Sequence, residues 1–244
     1  MQDKIQKARD AIARAEKLLV FTGAGISKES GVPTFREADG LWEKFKAEDF
    51  ATLDAFKRNP REVWKWYRER RALALKVKPN PAHYAVVRLE EAHEDFLVAT
   101  QNIDNLHQRA GAKKVLELHG NIMHSYCMKC GHLVDESAGE LPGEVPSCPC
   151  EDCDGLMRPK VVWFGEQLDP HDLERSFQFA SECDCCIVIG TSGLVYPAAQ
   201  IPFLARRNDA TIIDVNPEPS AITPIADYFL AGPAGQIMPR LVEE

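Results

Sequence analysis

Three groups of side chains in this 244-residue sequence could do chemistry. The first is a cysteine cluster, Cys127-Met-Lys-Cys130-Gly131 followed by Cys148-Pro-Cys150-Glu-Asp-Cys153. A two-residue spacer turns both thiolates toward one ion, and Gly131 permits the tight turn. In the second half three cysteines compete for two places. Cys150 with Cys153 gives the two-residue spacer, and Cys148 with Cys153 gives a four-residue one. Four thiolates suit tetrahedral zinc and leave no open position, so the expected site is structural. Cys183, Cys185 and Cys186 open an apolar run and read as buried small residues instead.

The second group is the stretch 22–36, T-G-A-G-I-S-K-E-S-G-V-P-T-F-R, which follows the apolar run Leu18-Leu19-Val20-Phe21. Small residues directly after a strand let backbone N–H groups approach a phosphate. That suggests a nucleotide site, although Lys28 stands where the dinucleotide fingerprint has its third glycine. The spacing alone equally fits a strand-to-helix turn with no ligand. The third group is Gln101-Asn102-Ile103-Asp104 together with His119. A histidine can accept a proton near neutral pH, and an Asn–Asp pair can hold an amide or a water. The other histidines, at 83, 93, 107, 124, 132 and 171, read as surface or packing residues.

Elements that would position these groups recur along the chain. Apolar, β-branched runs at 17–22, 95–100, 114–118, 185–189, 210–215 and 227–230 read as strands, with helix-like stretches between them. This alternation predicts an α/β fold with a parallel sheet covered on both faces. Ligands then sit beyond the carboxyl ends of the strands, where Gly23, Asn102, His119, Gly190 and Asn216 fall. The N-terminus reads as a helix with Ile5, Ala8, Ile12, Ala15 and Leu19 on one side. Residues 41–78 carry aromatic and basic side chains at helical spacing and form a helical insertion. Residues 121–158 read as a small, loop-rich insertion with too little apolar content to fold alone. The main domain is then 1–40, 79–120 and 159–244.

A net charge of -8 argues against bulk attraction to nucleic acid or to an anionic membrane. The first residues lack the apolar core of a signal peptide, and no apolar run reaches membrane-spanning length. A cytoplasmic location is expected. The cysteines are clustered rather than spread as a disulfide framework, which in a reducing compartment argues for metal.

Read together, G-A-G-I-S-K-E-S-G-V-P-T-F-R at 23–36, Gly40-Leu41-Trp42, T-Q-N-I-D-N-L-H at 100–107, L-H-G at 118–120, V-V-W-F-G-E at 161–166 and G-T-S at 190–192 resemble the sirtuins. The motifs run in the expected order over nearly the whole chain. The resemblance implies a large Rossmann-like domain, a small module with one structural zinc, and NAD-dependent deacylation of acylated lysine in peptides or proteins. It implies that Gly23, Ala24, Gly25, Ile26, Ser27, Thr34, Phe35, Arg36 and Trp42 wrap the NAD. Phe35 would shield the reactive ribose face, and Arg36 would contact the phosphates. Gln101, Asn102, Ile103 and Asp104 would line the ribose and nicotinamide pocket, with His119 as general base. Gly190, Thr191 and Ser192 would meet phosphate and ribose. Asn216, with Pro217 and Glu218, would meet the adenosine ribose, and Ala234 would lie near the adenine. Val162, Phe164, Gly165 and Glu166 would clamp the peptide opposite Gly193, Leu194, Val195 and Tyr196.

Within the family the helical insertion is similar to that of the class III, desuccinylase-type members. Tyr67 and Arg70 would there recognise an acyl group ending in a carboxylate, and Ala47 would widen the pocket. Positions three apart share a helix face, and guanidinium binds carboxylate in a forked geometry. Comparison with that branch favours Cys148 with Cys153 as the second zinc half-site. Comparison with many bacterial members favours Cys150, and Cys148 is preferred. Two alternatives stay open at this point: a mono-ADP-ribosyltransferase and a non-catalytic NAD sensor.

Overall fold

The computed structural model describes residues 2–34 and 46–243, apart from the side chains of Ala47 and Glu48. Phe35, Arg36 and Trp42 lie outside the described residues, and Ala47 is placed only as the first residue of the helix Ala47–Phe50.

Each expected run becomes a strand. In chain order the strands are β1 (Lys17–Thr22), β2 (Asp95–Thr100), β3 (Val115–Glu117), β4 (Gly120–Cys127), β5 (Leu133–Asp135), β6 (Met157–Val161), β7 (Cys185–Ile189), β8 (Thr211–Asn216) and β9 (Tyr228–Ala231). Six of them form one sheet in the order β3-β2-β1-β7-β8-β9. All its pairings are parallel. Successive residues of each strand enter opposite cores. Leu18, Val20, Val98, Ile187 and Ile213 pack beneath the helices Gln2–Arg14, Pro81–Ala92 and Ala234–Val242. Leu19, Phe21, Leu97, Val188 and Ile212 pack beneath Pro170–Glu182 and Ile201–Arg207. Burial on both faces is why these strands read as continuous apolar runs. Cys183, Cys185 and Cys186 are buried among them, and burial pushes their thiols up.

One expectation about the first helix needs correction. It ends at Arg14, and Leu19 lies in β1 rather than on its apolar stripe. Pairing on both edges, with β2 and with β7, fixes Leu19 as strand.

The strand order reverses between β1 and β7. Chain connections leave these two neighbours in opposite directions, so a crevice opens beyond their carboxyl ends.

The remaining strands form an antiparallel sheet, β5-β4-β6. The cysteine-bearing insertion is therefore framed by strands, and its framing strands begin at Gly120 and end at Val161. It does not stand apart from the helical insertion, which contains Leu53–Arg58 and Pro60–Lys76. Phe56, Trp64, Trp66 and Tyr67 share a core with Ile122, Met123, Met157 and Trp163. Trp64 Nε1 donates to the Met157 carbonyl at 3.1 Å. Arg71 and Glu136 are both fully buried and pair at 2.8 Å, while Arg71 Nε donates to the Ile122 carbonyl at 2.8 Å. Asn59 caps the longer helix and Pro60 occupies its first turn.

Candidate active site

The crevice floor is backbone against backbone. Gly23 N donates to the Ile189 carbonyl at 3.0 Å and Gly25 N to the Gly190 carbonyl at 2.8 Å. A Cβ on Gly25 would lie 2.6 Å from Gly190 Cα, and Gly190 itself has a φ of +60°. These glycines therefore let the loop after β1 cross the loop after β7. Two of the loop's amides are thus engaged by carbonyls of the protein. Ala24 and Ile26 follow in the short 3-10 helix Ala24–Ser30, whose Ser27 points into the protein. Thr34 is the last described residue of the loop and is buried. Glu29 accepts from Gly235 N at 2.5 Å and so ties the loop to the helix that begins at Ala234.

A buried polar network joins this loop to the end of β2. Ser27 Oγ donates to Asp104 Oδ2 at 2.7 Å. Asn102 Nδ2 donates to the Gly23 carbonyl at 3.1 Å and to Ser27 Oγ at 3.3 Å. Burial pushes the Asp104 carboxyl up, opposed by donors from Leu106 N and Ser27. Gln101 Nε2 donates to Thr191 Oγ1 at 2.9 Å, linking the ends of β2 and β7. Asn216 Nδ2 donates to Asp214 at 2.5 Å and to the Thr191 carbonyl at 3.4 Å. Ser192 accepts from Ala221 N at 3.1 Å, and Pro217 and Glu218 are exposed at the rim. Ile103 lies at the junction with the smaller sheet, its carbonyl accepting from Ile122 N at 2.8 Å.

Two histidines that looked ordinary in the sequence belong to this network. His83 accepts from Asn80 N at Nδ1, so its Nε2 carries the proton and faces Ser27 Oγ at 3.5 Å. His107 Nε2 lies 3.0 Å from Thr22 Oγ1. Burial lowers His83 to about 3, with His107 adding repulsion, and lowers His107 to about 4. The sequence signal for His83 was its place three residues after Asn80, where it completes a capping box.

His119 stands in the turn between β3 and β4. Its Nδ1 lies 3.0 Å from the Gln101 carbonyl. A carbonyl only accepts, so Nδ1 carries the proton and Nε2 keeps the lone pair. Burial lowers its pKa, partly offset by that carbonyl. The arrangement is a neutral imidazole held in one tautomer beside a crevice lined by amide and carboxyl groups, which is the form a general base needs.

On the other side, the His119 carbonyl accepts from Val162 N at 2.9 Å. The segment Val162–Glu166 therefore runs directly from the histidine. Phe164, Leu194 and Tyr196 expose large apolar side chains, and Gly165 and Gly193 have φ of +88° and +70°. Val195 accepts from Ala199 N at 2.8 Å. The Glu166 side chain points back into the protein, where it pairs with Arg158 at 2.5 Å and accepts from Trp163 N at 2.9 Å. Tyr67 is buried and its hydroxyl meets Trp163 Nε1 at 2.9 Å. The Arg70 guanidinium lies 3.8 Å from the Trp66 ring centroid, a cation–π contact.

Cys127, Cys130, Cys148 and Cys153 converge, with all four sulfurs within 4.8 Å of one another. Cys127 to Cys153 is 3.7 Å and Cys130 to Cys148 is 3.6 Å. Zinc bound tetrahedrally at ~2.3 Å places sulfurs ~3.8 Å apart, so the residues fit the ion. Lys129 N and Cys130 N donate to Cys127 Sγ at 3.3 and 3.4 Å, which favours a thiolate there. Cys148 is thus the fourth member of the cluster, and Cys150 stays outside it. Gly155 is a requirement the sequence did not announce, because a Cβ there would lie 2.5 Å from Cys127 Sγ.

The Sir2 family profile matches residues 23–197. An NAD-dependent protein deacylase from Pyrococcus abyssi is 51% identical over 96% of this chain and 94% of its own. A solved Sir2 homolog–NAD complex superposes with a TM-score of 0.89 at 42% identity, covering 97% of this chain and 92% of that one. The structure of Sir2Af2 bound to a myristoylated histone peptide gives a TM-score of 0.79 at 38% identity, covering 99% and 96%. A shared profile across the crevice loops, half-identical sequence and one backbone architecture leave a single reading of descent: the chain belongs to the Sir2 family, the sirtuins.

Proposed function

We propose that the protein is an NAD-dependent protein-lysine deacylase. Its substrates are NAD and acyl-lysine in peptides, and its products are free lysine, nicotinamide and O-acyl-ADP-ribose. The observation that carries the reading is His119: one tautomer, neutral, at the edge of the crevice that holds Asn102, Ser27 and Asp104. NAD here is consumed, so the crevice has to orient it for cleavage rather than for hydride transfer. The Gly23–Ser27 loop, Gln101, Asn102, Asp104, Thr191 and Asn216 hold it. His119 Nε2 takes a proton from a ribose hydroxyl, and the adjacent Val162, Phe164, Gly165 and Glu166 receive the peptide by strand addition, while the Trp163 N–H stays paired with Glu166. Zinc supplies no chemistry to the reaction; bound to Cys127, Cys130, Cys148 and Cys153, it holds the smaller sheet together.

The acyl preference is for chains that end in a carboxylate, such as succinyl and malonyl. Tyr67 and Arg70 stand one turn apart on the same helix and together present a phenol and a guanidinium. The unbridged cysteines support a reducing, cytoplasmic setting. Among the described residues no helix is long and apolar enough to cross a membrane. The test is nicotinamide release across peptides of one sequence carrying succinyl, malonyl, glutaryl, acetyl and myristoyl lysine. Release should require NAD and an acyl peptide, and be fastest with the acidic acyl groups. Release of nicotinamide without any acyl peptide would point instead to ADP-ribosyl transfer.

A further inference from the structure

Tyr67 and Trp163 meet where the helix Pro60–Lys76 touches the segment after β6. Their separation, 2.9 Å from Trp163 Nε1 to the Tyr67 hydroxyl, is a buried hydrogen bond with a fixed direction. An indole nitrogen can only donate, so the phenol oxygen must accept. A phenol carries one proton in the plane of its ring. With the indole on one side of the oxygen, that proton turns to the other side. Among the described residues no acceptor takes it. Burial also pushes the Tyr67 phenol well above its usual range, so the proton stays on.

Trp163 is itself tightly held. The Arg158 guanidinium stacks 3.3 Å from its ring centroid. Glu166 receives Arg158 through two bonds, at 2.5 and 2.9 Å, and also accepts the Trp163 backbone N–H. Phe56 lies 5.3 Å away, centroid to centroid. An indole fixed by stacking, packing and its own backbone defines the direction of the Tyr67 proton far better than a solvent-exposed partner could.

We propose that Trp163 is a positioning residue for acyl selectivity: its indole N–H makes the Tyr67 hydroxyl a committed donor, aimed at a carboxylate on the acyl chain. The proposal rests on the acidic-acyl reading above. It assigns to Trp163 a task separate from the peptide clamp in which its neighbours Val162 and Phe164 stand. An acetyl group has no terminal acid, so its turnover does not depend on where that proton points.

The test is Trp163→Phe, which keeps an aromatic ring under Arg158 and removes the N–H. The KM for a succinyl-lysine peptide should rise about three- to tenfold, the loss of one oriented hydrogen bond, with kcat unchanged. The KM for the matching acetyl peptide should stay where it was. In a Tyr67→Phe background, Trp163→Phe should add nothing to the succinyl KM. Equal rises for both peptides, or a full additional rise in the Tyr67→Phe background, would overturn the proposal. If Tyr67→Phe is selective for succinyl while Trp163→Phe is silent, the positioning role alone falls. If Tyr67→Phe with Arg70→Met affects both acyl groups alike, the acidic-acyl reading falls and takes the proposal with it. Should Trp163→Phe fail to fold, enzyme labelled with 15N-tryptophan gives the same answer. The Trp163 indole resonance should shift on Tyr67→Phe and again when succinyl peptide binds the wild type; an unmoved resonance in both contradicts the proposal.

Discussion

At the residue scale, the proposed mechanism puts the acid–base work on one nitrogen. The Gln101 carbonyl fixes the proton of His119 on Nδ1, and burial keeps the ring neutral below the ordinary imidazole value of 6.5. A base must be neutral to work, so its active form is full above its pKa and lost as pH falls through it. Deacylation should therefore hold its rate as pH drops to 6.5 and fall only below; a kcat profile whose acid limb is centred at or above 6.5 would contradict this. His119→Ala should abolish deacylation while thermal melting stays near wild type, and retained turnover would remove His119 from the role. Spacing and strand ends made His119, Asn102 and Asp104 legible in the sequence. His83 and His107 were not, because their partners Ser27 and Thr22 lie more than fifty residues away along the chain. A second requirement on the glycines at 23 and 25 was not legible. It comes from Gly190, a close approach that only the fold creates.

At the element scale, the helix Pro60–Lys76 joins the proposed acyl-recognition residues to the architecture. One stripe of it carries Tyr67 and Arg70, while Trp64 and Arg71 bind it to the smaller sheet through Met157, Ile122 and Glu136. Tyr67→Phe combined with Arg70→Met should cost desuccinylation far more than deacetylation, read as kcat/KM on peptides of one sequence. Parallel losses would argue that this stripe only packs. The six parallel strands were legible because burial on both faces leaves unbroken apolar runs. The partnership of the two insertions was not, because each looks incomplete alone and nothing in local spacing says that the other completes it. The choice of Cys148 over Cys150 rests on the same limit. Both spacers allow a ligand, and the decision comes from Cys148 N pairing with the Gly155 carbonyl at 2.8 Å, which seats its sulfur in the cluster. Metal removal tests that element directly. Strong chelation should release one zinc per chain and raise hydrogen exchange over β4, β5 and β6 and over the helix bearing Tyr67, leaving the large sheet protected; purified protein without metal would refute the cluster.

At the scale of the whole molecule, a parallel sheet supplies a crevice at its switch point, and two insertions that share a core join its loops at Ile103 and His119. The buried histidines make this assembly acid-sensitive. His83 and His107, lowered to about 3 and about 4, refuse protons that the unfolded chain accepts below 6.5. Their contribution is full above 6.5 and is lost as pH falls toward 4, at about 1.4 kcal/mol per pH unit for each ring. At pH 5 both rings should remain neutral in the folded protein, read from imidazole nitrogen shifts, while the melting temperature declines; charged rings in the folded state would contradict the burial. The proposed reaction spends NAD in this crevice to free an acylated lysine. It is tested most directly by following one succinyl-lysine peptide with NAD by mass spectrometry. Equal yields of free-lysine peptide, nicotinamide and O-succinyl-ADP-ribose are expected, all lost in His119→Ala. Free succinate without ADP-ribose ester, or nicotinamide without deacylated peptide, would contradict it.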